Sequence, residues 1–256
     1  MRILILGGTT EASQLARLLA DDNRFEPTLS LAGRTASPKP QPLLTRIGGF
    51  GGVVGLEAWL RENGISAVID ATHPYAAQIS AHAVDACNAL SVPLASILRA
   101  AWRRASGDEW IEVETPAAAA AALGSEPKRV FLSLGRLELT AFAAAPQHHY
   151  IARTIDPPGE VSLPPNIQFV HDRGPFDAAE EEAFLADRRV AIIVSKNSGG
   201  AATYPKIAAA RRLRLPVVMI DRPNKPHGVA LDSPEGAMHW LEAQLAHRAP
   251  SSRRGV

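Results

Sequence analysis

Short, continuously apolar runs alternate with longer stretches of helical period along almost the whole chain. Arg2–Leu6, Thr28–Ala32, Ala67–Asp70, Pro93–Ile97, Arg129–Leu134, Ile167–Val170, Val190–Ser195 and Val217–Ile220 read as strands. The clearest, Ile3–Leu6 and Val190–Val194, are apolar at every position instead of every second one. Strands buried on both faces read that way, as parallel sheets covered by helices require. Helical stretches fall between them at Glu11–Ala20, Leu56–Glu62, Tyr75–Leu90, Pro116–Leu123, Ala178–Ala186, Lys206–Leu213 and Pro234–His247. The alternation predicts an α/β fold with parallel sheets flanked by helices.

The pattern lapses between Leu98 and Asp108, a basic stretch with neither period, and restarts on both sides. This predicts two domains, residues 1–98 and 110–248, joined by a mobile linker, with a flexible tail at 249–256. The composition adds exclusions. Among 256 residues there are 27 basic and 26 acidic side chains, so nothing favours a general nucleic-acid binder. Aromatics at 5% make a poor stacking platform for single strands. A single cysteine, Cys87, excludes an intramolecular disulfide and a thiolate-built zinc site. The first apolar run is too short for a signal-peptide core, and no run approaches membrane-spanning length. The expectation is a cytoplasmic protein without a membrane or nucleic-acid partner, a monomer or weak homo-oligomer.

Four segments carry candidate chemistry. Leu6 runs into Gly7-Gly8-Thr9-Thr10-Glu11, where glycines permit a tight turn and the following helix offers free N–H groups to a phosphate. The spacing departs from G-x-G-x-x-G, and a plain strand-to-helix turn capped by Thr10 is the alternative; the place on the very first strand favours a ligand. Strand two ends in Gly33-Arg34-Thr35, where an arginine suits the 2′-phosphate of NADP and an acidic residue would suit NAD. An ordinary solvated arginine is the alternative. Asp70-Ala71-Thr72-His73-Pro74-Tyr75 follows the third strand. Thr72 or His73 can cap, and Pro74 suits a first helical turn; that explains Thr72 and Pro74 but leaves Asp70, His73 and Tyr75 without a reason. Ser195-Lys196-Asn197-Ser198-Gly199-Gly200 is a polar, glycine-containing turn suited to an anion, although it is no Walker A. His148 and His149 alternate faces of a strand and cannot share a metal. Tyr204-Pro205-Lys206 has the wrong spacing for the Tyr-x-x-x-Lys dyad of short-chain dehydrogenases. The arginines at 17, 188, 189, 211, 212 and 214 read as solvated helix surface.

Together, LILGGTTE (4–11), SLAGRT (30–35), RIGGFGGVVGL (46–56), DATHPYA (70–76), LGR (134–136), RGPF (173–176) and SKNSGG (195–200) resemble the precorrin-6A reductase family of cobalamin biosynthesis. The resemblance implies NADPH-dependent reduction of one macrocycle double bond, converting precorrin-6A, or its cobalt form, to precorrin-6B. It implies two Rossmann-like domains with the site in the cleft between them, the first binding NADP(H) and the second the tetrapyrrole. Gly7, Gly8, Thr9, Thr10 and Glu11 would then hold the pyrophosphate region, and Gly33, Arg34 and Thr35 the adenosine 2′-phosphate. Gly49, Phe50 and Gly51 would bring backbone to the cofactor, and Asp70, Ala71, Thr72 and His73 would line its nicotinamide end. Arg136, Arg173 and Lys196 would grip substrate carboxylates, with Tyr75, Ser195, Asn197, Ser198 and Gly199 beside them. Lys196, His73 and Tyr75 are the groups able to supply a proton. Another NADP-linked oxidoreductase and a non-catalytic NADPH sensor are the competing readings.

Overall fold

The computed structural model describes residues 1–33, 39–157 and 159–248. These fold into two units, Met1–Arg99 joined by the chain from Asn224 onward, and Ala100–Pro223. The division falls inside the predicted linker.

The first unit has strands β1 (Arg2–Leu6), β2 (Glu26–Leu31), β3 (Leu44–Ile47), β4 (Ala67–Asp70) and β5 (Leu94–Ile97), with helices α1 (Thr10–Leu19), α2 (Gly52–Glu62) and α3 (Ala77–Leu90) between them. The second has β6 (Trp110–Val113), α4 (Pro116–Ala122), β7 (Arg129–Ser133), β8 (His149–Thr154), β9 (Ile167–His171), α5 (Ala178–Asp187), β10 (Ile192–Lys196), α6 (Pro205–Leu213) and β11 (Val217–Ile220), plus 3-10 turns at Arg136–Ala144 and Ala201–Thr203. The chain then continues through β12 (Val229–Leu231) and α7 (Pro234–Arg248).

Among the described residues all strand pairs are parallel. The first sheet has the order β12-β5-β4-β1-β2-β3 and the second β6-β11-β10-β7-β8-β9. In the first sheet the chain starts near the middle at β1, runs to the β3 edge, and returns to build the other side; in the second it does the same from β7, after β6 has formed the opposite edge. The reversal lies between β1 and β4 in the first sheet and between β7 and β10 in the second. Open parallel sheets bind ligands at such reversals, outside the carboxyl ends of the strands.

The outermost strands are exchanged. β6 follows β5 in sequence yet pairs with β11, while β12 follows β11 yet pairs with β5. This corrects the expected second domain of 110–248. Residues from Asn224 belong to the first unit, because α7 buries Ala237 and Leu241 completely against Ala12, Leu15 and Leu19 of α1. Gly228 permits the return, since a Cβ there would meet the Leu94 carbonyl oxygen at 2.1 Å.

Four strands eluded the pattern: β3, β6, β8 as a full strand, and β12. β3 and β12 are largely exposed edge strands with little apolar signal, and β6 buries Trp110 but exposes Ile111 and Glu112. The linker is not loose. The Asn197 side chain bonds both backbone groups of Trp102, accepting from its N–H at 2.8 Å and donating to its carbonyl at 3.0 Å. The Trp102 indole also donates to the Gly200 carbonyl. Nor is Arg211 solvated surface, because it pairs with the buried Asp108 carboxylate at 2.8 Å and with the Tyr204 hydroxyl.

Candidate active site

At the reversal of the first sheet, β1 ends in Leu6 and the chain turns through Gly7 and Gly8. The Gly7 N–H donates to the Ser30 carbonyl, and a Cβ at Gly7 would lie 2.6 Å from Leu29 Cδ1. Gly8 has φ +111°, a conformation that disfavours any side chain, and open space where a Cβ would be. Thr9, not Thr10, caps α1: its Oγ1 accepts from the Ala12 N–H at 3.2 Å and donates to the Ala71 carbonyl at 2.7 Å. That second bond ties the β1 turn to the β4 turn across the reversal. Thr10 is the first helical residue and is exposed. Glu11 carries negative charge in the first turn, and Arg99 engages it through two guanidinium nitrogens. The pair neutralises a carboxylate that would otherwise repel an anion there.

The β4 turn is organised by Asp70, whose carboxylate is 1% exposed. Its Oδ1 accepts from the Thr72 N–H at 3.0 Å and the Thr72 hydroxyl at 2.6 Å, and its Oδ2 from the Ser80 hydroxyl at 2.6 Å. The ammonium of Lys225 completes the set, 3.2 Å from Oδ2 and 3.4 Å from the Thr72 carbonyl. Asp70 thus braces the turn that follows β4. Thr72 is likewise engaged inward, and α3 starts at Ala77 with no side-chain cap. Ala71 is buried beside it. His73 and Tyr75 are half-buried neighbours with ring centroids 5.6 Å apart, and His73 Nδ1 accepts the Tyr75 N–H at 3.3 Å. In a neutral ring that leaves the proton on Nε2.

Beyond β3 lies a glycine loop, Gly48–Gly52. Gly49 and Gly51 are exposed, and Phe50 is half-buried. Arg46 serves this loop and was not singled out by sequence, although it opens the glycine-rich stretch; burial pulls its guanidinium pKa down. Gly33 turns at φ +73° after β2. Arg34 and Thr35 lie outside the described residues.

At the second reversal, Lys196 ends β10 and donates to Glu138 Oε1 at 2.6 Å. Glu138 Oε2 accepts the Gly135 N–H at 2.7 Å, so one carboxylate bridges the ends of neighbouring β7 and β10. The Gly-x-x-Glu spacing of a helix start is the signal that could have found Glu138. Arg136 is exposed beside it, while Arg173 is half-buried after β9. Other residues of SKNSGG contact neighbouring segments of the same unit. Ser195 is fully buried, Asn197 grips Trp102, and the Ser198 hydroxyl lies 3.2 Å from that of Thr203. A Cβ on Gly199, at φ +74°, would meet the Ala100 carbonyl oxygen at 1.9 Å.

Other groups are set aside by their surroundings. Cys87 is buried and its thiol is pushed up to about 12, so it is no nucleophile. His148 is fully buried while His149 is exposed. Among the described residues no helix is long and apolar enough to cross a membrane.

Residues 2–242 match the family described as precorrin-6x reductase CbiJ/CobK. The precorrin-6A reductase of Rhodobacter capsulatus is 52% identical over 241 residues, covering 94% of this chain and 95% of that protein. That of a Sinorhizobium species is 48% identical over 245 residues, covering 94% of each. A solved structure of CobK precorrin-6A reductase is 48% identical, superposes with a TM-score of 0.90 and covers 100% of both chains. The motifs, the paired Rossmann-like sheets and these matches agree: the chain belongs to the precorrin-6A reductase family.

Proposed function

We propose that this chain reduces one double bond of precorrin-6A with NADPH, yielding precorrin-6B, through loops at the carboxyl ends of its two sheets. The observation that carries the reading is the reversal of the first sheet, where Gly8, Thr9 and a charge-neutralised Glu11 form an open turn at a helix N-terminus. Such a turn fits a pyrophosphate, because backbone N–H groups and the helix dipole face the ligand and no side chain fills the approach. Gly7–Glu11 hold that group, and Arg34 and Thr35, which follow Gly33 in sequence, select the 2′-phosphate. The Ala71–His73 backbone lies at the nicotinamide end, braced by Asp70. NADPH supplies the hydride when bound.

The second unit meets a substrate fringed with carboxylates. Arg136, Arg173 and Lys196 supply cationic donors near the carboxyl end of its sheet, and arginine can take a carboxylate in two parallel bonds. Hydride addition leaves a carbanionic carbon that needs a proton. Lys196, Tyr75 and His73 through Nε2–H are the groups suited to deliver it.

Fluorescence titration with NADPH and NADH tests the cofactor assignment without the unstable macrocycle. NADPH is expected to bind much the tighter. Arg34→Ala is expected to weaken NADPH by about 1–3 kcal/mol while sparing NADH. Equal loss of both nucleotides would make Arg34 a structural residue instead. Lys196→Ala is expected to keep NADPH affinity and lower kcat/KM for precorrin-6A about tenfold, the scale of one lost charge-assisted contact. Unchanged turnover would remove Lys196 from the site.

A further inference from the structure

We infer that Arg46 is the positioning residue of the nucleotide site: its guanidinium sets the shape of the Gly48–Gly51 loop and thereby the affinity for either nicotinamide nucleotide. The inference rests on the cofactor reading above. Arg46 stands next to the end of β3, in register with Ser30 of β2. Its Nη1 donates to the Ser30 hydroxyl at 2.7 Å and to the Gly48 carbonyl at 3.0 Å, and its Nη2 donates to the Gly49 carbonyl at 2.9 Å. The guanidinium carbon lies 3.8 Å from the centre of the Phe50 ring and 5.7 Å from that of Trp59 on α2. One planar group thus holds three successive residues of the loop and anchors them to the neighbouring strand.

The loop needs such a brace. Gly48, Gly51 and Gly52 all have positive φ, and ordering glycine is the most entropically expensive step in building a loop. The far side is fixed by a close approach instead: a Cβ at Gly55 would lie 1.7 Å from the Phe50 carbonyl oxygen. Phe50 also meets Trp59 edge to face, with centroids 5.5 Å apart. Without Arg46, the Gly48 and Gly49 carbonyls lose their side-chain donor and Phe50 loses one of its two aromatic-face contacts. A nucleotide would then have to order the loop on binding, which lowers affinity without altering chemistry in the bound state. Lysine cannot replace the arrangement. An ammonium is a compact donor with no flat face to stack, whereas the guanidinium offers a planar fork and a face together.

The test compares the wild-type chain with Arg46→Ala and Arg46→Lys by NADPH and NADH fluorescence titration, thermal melting and steady-state turnover of precorrin-6A. Both variants are expected to bind both nucleotides about tenfold more weakly, the scale of one lost charge-assisted contact, and to keep kcat near wild type at saturating NADPH. Millimolar guanidinium ion is expected to restore part of the affinity of Arg46→Ala. Should Arg46→Ala fold poorly, Arg46→Lys decides, since it keeps the charge and the aliphatic stem. Wild-type affinity in Arg46→Lys would overturn the proposal, as would a fall in kcat with nucleotide affinity intact. A wild-type chain that takes up neither nucleotide would instead overturn the cofactor reading itself, a result visible before any variant is made.

Discussion

Asp70→Asn is expected to destabilise the first unit by about 3–5 kcal/mol, the cost of stranding one member of a buried ion pair. The pair is tight and dry: Lys225 and Asp70 approach to 3.2 Å with side chains 9% and 1% exposed. Asparagine keeps the shape but leaves the Lys225 ammonium without its counter-charge. It also turns one carboxylate oxygen into a donor facing hydroxyls that now donate to it. The reverse deletion is milder. In Lys225→Met, Asp70 retains the Thr72 N–H, the Thr72 hydroxyl and the Ser80 hydroxyl, which together solvate a carboxylate well. Urea unfolding of Asp70→Asn, Lys225→Met and the double variant checks this. The expected order of loss places Asp70→Asn first, with the double variant recovering part of it; equal losses in the two single variants would refute the argument. Because Lys225 arrives on the returning segment, the same pair fastens that segment to the turn after β4. NADPH affinity is expected to fall along with stability in Asp70→Asn.

Most of this architecture was visible in the hydrophobic pattern, and the failures share a physical character. β4 and β11 match their expected bounds because they are buried along their length, and β1 because Ile3–Leu6 are buried behind an exposed Arg2. β3 and β12 were missed because exposed edge strands need no apolar signature. The exchange of outer strands could not be read at all: local pattern says that a strand exists but not which sheet it joins. What decides it is packing, here α7 burying Ala237 and Leu241 against α1.

The site divides in the same way. Glycine positions were legible, since backbone turns and close approaches leave a mark on composition. The partners of charged side chains were not. Arg99 with Glu11, Arg46 with Ser30, and Glu138 with Lys196 are separated by 88, 16 and 58 positions respectively, beyond any local spacing rule. The SKNSGG stretch shows the same limit: Asn197, Ser198 and Gly199 also make contacts with the 100–102 segment and the Ala201–Thr203 turn that no local pattern foretells.

Lys206→Met is expected to be more stable than wild type at pH 7, with the difference shrinking by about 2 kcal/mol between pH 7 and pH 9. Lys206 is the second residue of α6 and almost wholly buried, and burial lowers its ammonium from 10.5 to about 7. Its surroundings compensate only in part. Nζ donates to the Thr203 carbonyl at 2.8 Å and lies 5.0 Å from the centre of the Trp102 ring. Glu181 favours the charged form, but Arg153 opposes it and already occupies Glu181 Oε1 at 2.5 Å. The second oxygen of Glu181 and the Nε of Arg153 have no hydrogen-bond partner among the described residues. The sign follows from proton counting. Below pH 7 both the folded and unfolded states carry the lysine proton, and the full penalty of a buried charge is present. Between pH 7 and 10.5 only the unfolded state holds the proton, so stability rises with pH until the penalty disappears. Methionine fills similar volume without a titrating group and leaves the Arg153–Glu181 pair intact. Urea unfolding of both proteins at pH 7 and pH 9 isolates the effect, because groups common to both cancel in the difference. A gap that stays constant with pH would mean that Lys206 keeps its proton at pH 9 in the folded state. In that case Glu181, the Thr203 carbonyl and the Trp102 ring together offset the burial that otherwise dominates this corner of the second unit.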